Sequence, residues 1–289
     1  MALSSEPTSV WSLGALLGEG PVWAGGALWF VDIKSRQVHR YTPATGDKKS
    51  WDAPAQIGFL APARRGFIAG LQGGLHRFDP DVGNFTPLAE VELHLPGNRL
   101  NDATVDGFGR LWFGSMHDDE VDKCGAFYRF HDGAVHPAGI DGIAITNGPA
   151  LSPAGDLLYF VDTLRGTIDV ADVAADGSLA NLRPFVRIDP ADGFPDGPTV
   201  DAGGCVWIGL YAGWCARRYS PGGELLDSVR FPVGNITKLA FGGDDLRTVF
   251  ATTARQKLTR ADLEQQPQAG DLFSFRVDTP GLPCPLVAC

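Results

Sequence analysis

Glu19, Asn101, Asn147 and Asp196 are the residues of this sequence best placed to do chemistry together. They stand nine, ten, eleven and ten residues ahead of four similar apolar runs: "LWFVD" from Leu28, "LWFGS" from Leu111, "LYFVD" from Leu158 and "VWIGL" from Val206. The same count back from "FIAGL" at Phe67 reaches Ile57 or Gly58, and the count from "VFATT" at Val249, allowing for the extra "GDDLR", reaches Thr237. Asn, Asp and Gly favour turns by bonding their own backbone, which accounts for any one of these positions. It accounts poorly for Glu19, and it does not explain why acids and amides share one phase. Two carboxylates and two amides converging on one point, with no cysteine or histidine among them, suit a hard divalent cation such as calcium, magnesium or manganese. A cation also relieves the repulsion between two carboxylates brought this close.

Convergence requires a repeat architecture, and the apolar runs supply one. Their successive spacings are 39, 44, 47, 48 and 43 residues, the period of a four-stranded propeller blade. A second alternating segment follows each run: "QVHRYTP", "GLHRFDP", "AFYRFHD", "TIDVADV", "CARRYSP" and "LFSFRVD". Segments such as "KKSWDA", "FTPLAEV" and "LLDSVRF" then read as outer edge strands. The expectation is an all-β, six-bladed β-propeller occupying residues 1–289 as one domain. The N-terminal "SVWSLGALL" would close the ring by pairing with the last blade, since closure removes sheet edges. Parallel α/β folds need helices of ten to fifteen residues between strands, and helical periodicity surfaces only weakly at "RADLEQQPQ". The innermost strand of each blade lines the channel and begins at one mouth, which brings the phased positions around one axis.

Composition narrows the partners. The net charge of −10 argues against nucleic acid or an anionic membrane, both of which ask for a basic face. Thirty-seven glycines and 21 prolines are spread along the chain as turn punctuation. Five cysteines, Cys124, Cys205, Cys215, Cys284 and Cys289, show no CxxC and no zinc-like spacing to histidine, so reduced thiols in a cytoplasmic protein are expected. The N-terminus carries no basic segment ahead of an apolar run, which reads as no signal peptide. No Ser-His-acid arrangement and no GxSxG are present, and His39 and His76 occupy equivalent repeat positions, which favours a structural role for both.

"GEGPVW" at Gly18–Trp23, "NRLNDATVDGFGRLWFGSM" at Asn98–Met116, "ITNGPALSP" at Ile145–Pro153 and "FPDGPTVDAGG" at Phe194–Gly204 resemble the senescence marker protein/gluconolactonase/luciferin-regenerating-enzyme family. "NITKLAFGGDDLRTVFATTA" and "PQAGDLFSF" match its closing pattern, so the resemblance runs over residues 13–280. It implies a six-bladed propeller with one divalent metal in the channel, calcium foremost, with zinc, manganese, ferrous iron or magnesium as other occupants. By resemblance, Glu19, Asn147 and Asp196 are metal ligands, and Arg99, Asn101 and Asp119 contact substrate. The implied chemistry is hydrolysis of sugar lactones to aldonic acids, as in the family's bacterial lactonases of oxidative pentose or hexose catabolism. Asp196 then has a second role, taking a proton from the attacking water. The acidic stretch "GSMHDDE" also raises a second metal site, but consecutive residues of an extended segment point to opposite faces, so a solvated loop is expected there. Loops Gln72–Gly74, His117–Gly125 and Tyr211–Cys215 are expected to set specificity. Two other readings stand beside the lactonase: a non-catalytic calcium- or sugar-binding propeller, since fold does not fix function, and a metal-dependent esterase acting on a different ester.

Overall fold

Aliphatic and aromatic runs cut every few residues by Gly, Pro, Asn and Asp favour short antiparallel strands joined by tight turns. The computed structural model describes residues 5–289 and shows that organisation. After β1 (Thr8–Trp11), strands β2 (Gly18–Ala24), β3 (Ala27–Asp32), β4 (Gln37–Thr42) and β5 (Asp47–Asp52) form one sheet in sequence order. A second sheet holds β6 (Ile57–Pro62), β7 (Phe67–Leu71), β8 (Gly74–Asp79) and β9 (Asn84–Glu90). A third holds β10 (Asn98–Val105), β11 (Leu111–His117), β12 (Gly125–His131) and β13 (Ala134–Ile143). The fourth holds β14 (Thr146–Leu151), β15 (Leu157–Asp162), β16 (Thr167–Val173) and β17 (Leu179–Arg187).

The remaining strands are β18 (Phe194–Val200), β19 (Val206–Tyr211), β20 (Cys215–Tyr219), β21 (Leu225–Arg230), β22 (Ile236–Gly242), β23 (Thr248–Thr253) and β24 (Leu272–Arg276). Together with β1 they make one eight-stranded sheet in the order β1-β24-β23-β22-β18-β19-β20-β21. The architecture is therefore all-β and propeller-like, but it differs from six separate four-stranded sheets: four are separate and one has eight strands. The cause is a single parallel bridge, Gly197 to Lys238, that joins β18 to β22. A Cβ on Gly197 would sit 2.6 Å from Lys238 Cγ, so the missing side chain is what lets the two backbones meet. Strand β1 pairs antiparallel with β24, Thr8 opposite Ser274. The weak periodicity near "RADLEQQPQ" becomes a short helix, α1 (Arg260–Gln265), started by a reciprocal Thr259–Asp262 capping box. None of the described helices is long and apolar enough to cross a membrane.

The core lies between successive sheets. Val31 and Val38 of the first sheet pack with Ile57 and Ala69 of the second, and Phe59 and Ile68 with Leu100 and Phe113 of the third. Phe127 meets Phe160 and Ala171, while Val161 and Ile168 meet Ile208 and Leu210. Trp207 and Val229 pack with Leu239 and Phe275, and Leu28 and Phe30 with Ala240 and Phe250. Each fully buried Phe, Leu or Ile contributes about 1.5–3 kcal/mol, so the interfaces between sheets dominate stability and hold the leading strands in place. Those strands, β2, β6, β10, β14, β18 and β22, contact one another in that order, and β22 also packs on β2.

Candidate functional site

Each leading strand carries a register irregularity near its start. The pairing shifts between Glu19 and Val22, Ile57 and Phe59, Leu100 and Ala103, Asn147 and Ala150, Pro195 and Pro198, and Ile236 and Leu239. A bulge interrupts strict alternation and re-aims side chains. Four of these bulges are built on Gly-Pro, Asn-Asp or Asp-Gly pairs and a fifth on Gly58, whereas the one on β22 spans Thr237 and Lys238. Glu19, Asn101, Asn147 and Asp196 all fall in or beside a bulge and all are buried. Thr237 donates to Gly18 O at 2.6 Å and ties β22 to β2. Gly58 brings no donor; a Cβ there would sit 2.3 Å from Leu100 O.

The Glu19 and Asp196 carboxyls lie within hydrogen-bonding reach of one another. Burial, followed by the Asp102 charge, pushes Glu19 up to about 7, although the Gly20 N–H donates to its Oε2 at 2.9 Å. Burial and then the Glu19 charge raise Asp196 well above the ordinary carboxylate range. Asp196 Oδ1 is buried without a hydrogen-bond partner, a costly state for a carboxylate oxygen. Asn147 sits on the strand between those of Asn101 and Asp196. Its Nδ2 donates to Thr163 Oγ1 at 2.9 Å, which turns its Oδ1 towards Asn101 Nδ2 at 3.0 Å. Two facing carboxylates, one oriented amide oxygen and an orphaned Oδ1 fit a divalent cation. Among the described residues no three Asp, Glu, His or Cys side chains cluster as a metal cage, and Asn147 is the amide on the strand next to that of Asp196.

A line of hydrogen bonds runs from this centre towards the surface. Asn101 Oδ1 accepts from Arg99 Nη1 at 2.5 Å, and Arg99 Nε donates to Asp118 Oδ1 at 2.8 Å. Arg99 therefore spends two of its donors inside the protein, orienting Asn101. Asp118 also accepts from Lys34 Nζ at 2.6 Å and Gln56 Nε2 at 2.7 Å. Burial alone would raise Asp118; the Gln56, Lys34 and Arg99 donors instead bring it down to about 2. Asp119, the residue expected to contact substrate, has a side chain 83% exposed and lies outside this network. The chain turns here, the Glu120 N–H donating to His117 O at 3.0 Å, and the turn leaves Asp119 exposed while Asp118 and Glu120 meet partners. Glu120 is bound by Gln256 Nε2 at 3.0 Å and by Lys257 Nζ, from a segment far along the chain. Tyr211 joins them, its hydroxyl donating to Gln256 O at 2.7 Å, and burial with the Asp196 charge raises its phenol.

Count-based reasoning missed Asp118, Glu120, Lys34, Gln56, Gln256 and also the buried pair Asp102–Lys238. Lys238 inside the apolar run "ITKLAF" was the legible signal, since a lysine in a buried strand calls for a partner. Beyond this pair, away from Glu19 and Asp196, the channel widens into a cavity of about 640 Å³ covered by Leu282–Leu286 of the C-terminal segment. Asp102 and Lys238 line that cavity, whereas Glu19, Asn147 and Asp196 do not.

The chain is 35% identical over 265 residues to L-arabinolactonase of Azospirillum brasilense, covering 89% of this chain and 87% of that one. It is 32% identical over 282 residues to 6-deoxy-6-sulfogluconolactonase of Pseudomonas putida, covering 95% and 96%. A solved calcium-binding protein, regucalcin from Agrobacterium tumefaciens, superposes with a TM-score of 0.94 at 28% identity, covering 99% of this chain and 98% of the other. Residues 17–255 match the family described as SMP-30/Gluconolactonase/LRE-like region, and the chain belongs to that family.

Proposed function

We propose that this protein is a metal-dependent lactonase that opens aldono-1,4- or 1,5-lactones to aldonic acids, acting in the cytoplasm in oxidative pentose or hexose breakdown. The observation that carries the reading is the buried Glu19–Asp196 carboxyl pair, with Asp196 Oδ1 left without a donor and Asn147 on the strand next to that of Asp196. The lactonase names of the two enzymes above support the reaction class. Counting the eight-stranded sheet as two blades gives a six-bladed single-domain ring, closed by β1 on β24.

Glu19, Asn147 and Asp196 would hold the cation, calcium first among candidates given an oxygen-only donor set. When bound, it supplies Lewis-acid polarisation of the lactone carbonyl. Asp196 takes a proton from the attacking water as the water oxygen bonds to the carbonyl carbon. The ring C–O bond breaks, and the proton passes to the released hydroxyl. Asn101, held by Arg99, faces the substrate beside Asn147, and Asp118 with Lys34 and Gln56 frames the outer rim for hydroxyl groups. No covalent nucleophile is required, because aldonolactones are activated esters.

The test is a pH-indicator assay on a panel of aldonolactones, with and without chelator, alongside metal analysis of the purified protein. Chelator-sensitive hydrolysis of at least one lactone is expected. Calcium binding with no hydrolysis of any lactone would favour the second reading, a calcium-binding propeller, which the likeness to the calcium-binding regucalcin supports.

A further inference from the structure

Lys238 and Asp102 are buried and directly paired, yet the hydrolytic reading above uses neither. Their placement links the segments that carry the candidate ligands. The stem of Lys238 lies against Gly197, the residue after Asp196; a Cβ on Gly197 would fall 2.6 to 2.8 Å from Lys238 Cγ, Cδ and Cβ. Its ammonium reaches across to Asp102 Oδ1 on β10. The other oxygen, Asp102 Oδ2, accepts the Gly148 N–H at 2.8 Å, directly after Asn147. One continuous bridge therefore runs beneath the site, from Asp196–Gly197 through Lys238 and Asp102 to Gly148–Asn147. Asp102 and Lys238 also line the cavity next to the C-terminal segment.

A buried pair of this kind is seldom a gain in stability over apolar residues of the same size, so its retention calls for another account. Glu19 and Asp196 are buried within electrostatic reach of the buried Asp102, and Lys238 is the ammonium paired with Asp102. With all four charged, two negative charges stay uncompensated, the complement of a divalent cation. Without Lys238 there would be three, and without the Asp102 charge only one.

We propose that the Lys238–Asp102 bridge is a positioning and charge-setting device that matches the Glu19–Asn147–Asp196 cage to a divalent cation. The inference rests on the cation reading above. It concerns selectivity between cations and not the presence of a site.

The experiment measures Ca²⁺ and Tb³⁺ affinities by calorimetry and terbium luminescence, at pH 8, on the full chain and four variants. Lys238→Met is expected to raise the Tb³⁺-to-Ca²⁺ affinity ratio on the order of tenfold, because an added negative charge attracts the trivalent ion more strongly. Asp102→Asn is expected to lower the ratio by a similar factor while keeping an oxygen for Gly148. Lys238→Arg keeps the charge and should leave the ratio within about twofold of the parent. The Lys238→Met/Asp102→Asn double variant restores two uncompensated charges and should return the ratio to near the parental value. Should Lys238→Met fail to fold, the Asp102→Asn and Lys238→Arg arms decide alone. A ratio unmoved by Asp102→Asn, or moved as far by Lys238→Arg, overturns the proposal. A parent protein that binds neither ion overturns the cation reading itself, so the two failures are told apart.

Discussion

Asp118→Asn, compared with Asp119→Asn, separates the geometry of the acidic loop from its alignment by count. Asp118 accepts from Lys34, Gln56 and Arg99 and has a side chain 26% exposed. The fall of its carboxyl from 3.8 to about 2 corresponds to about 2 kcal/mol at 1.36 kcal/mol per pH unit. Partial exposure and screening reduce this to about 1–2 kcal/mol. The folded value lies below the unfolded one, so the contribution is fully present above pH 4. It is lost as the pH falls from about 4 towards 2. Asparagine keeps the shape and one acceptor but never carries the charge. Urea unfolding should therefore place Asp118→Asn about 1–2 kcal/mol below the parent at pH 6, with the gap shrinking to about a third of that by pH 2.5. Other acid-sensitive groups act on both proteins and cancel in the difference. Asp118→Asn should also raise KM on the lactone more than it lowers kcat, since Arg99 loses the charged partner that steadies its hold on Asn101. Asp119→Asn should do neither, its side chain being 83% exposed. A stability gap that is the same at pH 6 and pH 2.5, or an Asp119→Asn variant that behaves like Asp118→Asn, would refute this account.

Three further outcomes are expected. Glu19→Gln should weaken Ca²⁺ binding by about tenfold or more, read by calorimetry, because one of two facing carboxylates is lost; unchanged affinity removes Glu19 from the cage. Asp201 accepts Trp207 Nε1 at 3.0 Å and Arg218 Nε at 2.8 Å from a fully buried position. Asp201→Ala should therefore cost about 3–5 kcal/mol in urea unfolding while leaving Ca²⁺ affinity of the folded protein intact. Deleting residues 1–11 removes β1, exposes the edge of β24 and strips Trp11 from its edge-on contact with Phe30 at 5.6 Å. A loss of about 3 kcal/mol or more, with concentration-dependent association through the bared edge, is expected by thermal unfolding and light scattering; an unaltered Tm and a monodisperse protein would show that β1 is not a fastening.

The sheets were legible because one signal was repeated. The runs from Leu28, Phe67, Leu111, Leu158, Val206 and Val249 all became the strand paired antiparallel with a leading strand, and "KKSWDA", "FTPLAEV" and "LLDSVRF" became outer ones. A repeat read six times averages out the noise of any single run. The bridge joining β18 to β22 was not legible, since it depends on two backbones brought together by Gly197 and Lys238, distant in sequence. Asp118 went unseen for a related reason. Counting along a loop gives a residue number but not the way the turn faces, and here Asp118 accepts from Arg99 while Asp119 is exposed.

The bulges decide what else a count of this kind can see. Period-two reasoning allows one inward residue at each strand start, and it found Glu19, Asn101, Asn147 and Asp196. A bulge breaks that period, so the neighbour is turned to the channel as well. Asp102 follows Asn101 and Lys238 follows Thr237 in just this way, both buried and both lining the cavity behind the site. Four of the six strand starts follow their inward residue with a glycine, Gly20, Gly58, Gly148 and Gly197, so the second inward position is empty there. Only β10 and β22 fill it, with opposite charges that meet across the axis. The leading strands thus carry two tiers, Glu19, Asn101, Asn147 and Asp196 in one and the Lys238–Asp102 ion pair in the other. On the reading proposed above, the second tier would set the charge that the first presents to a cation.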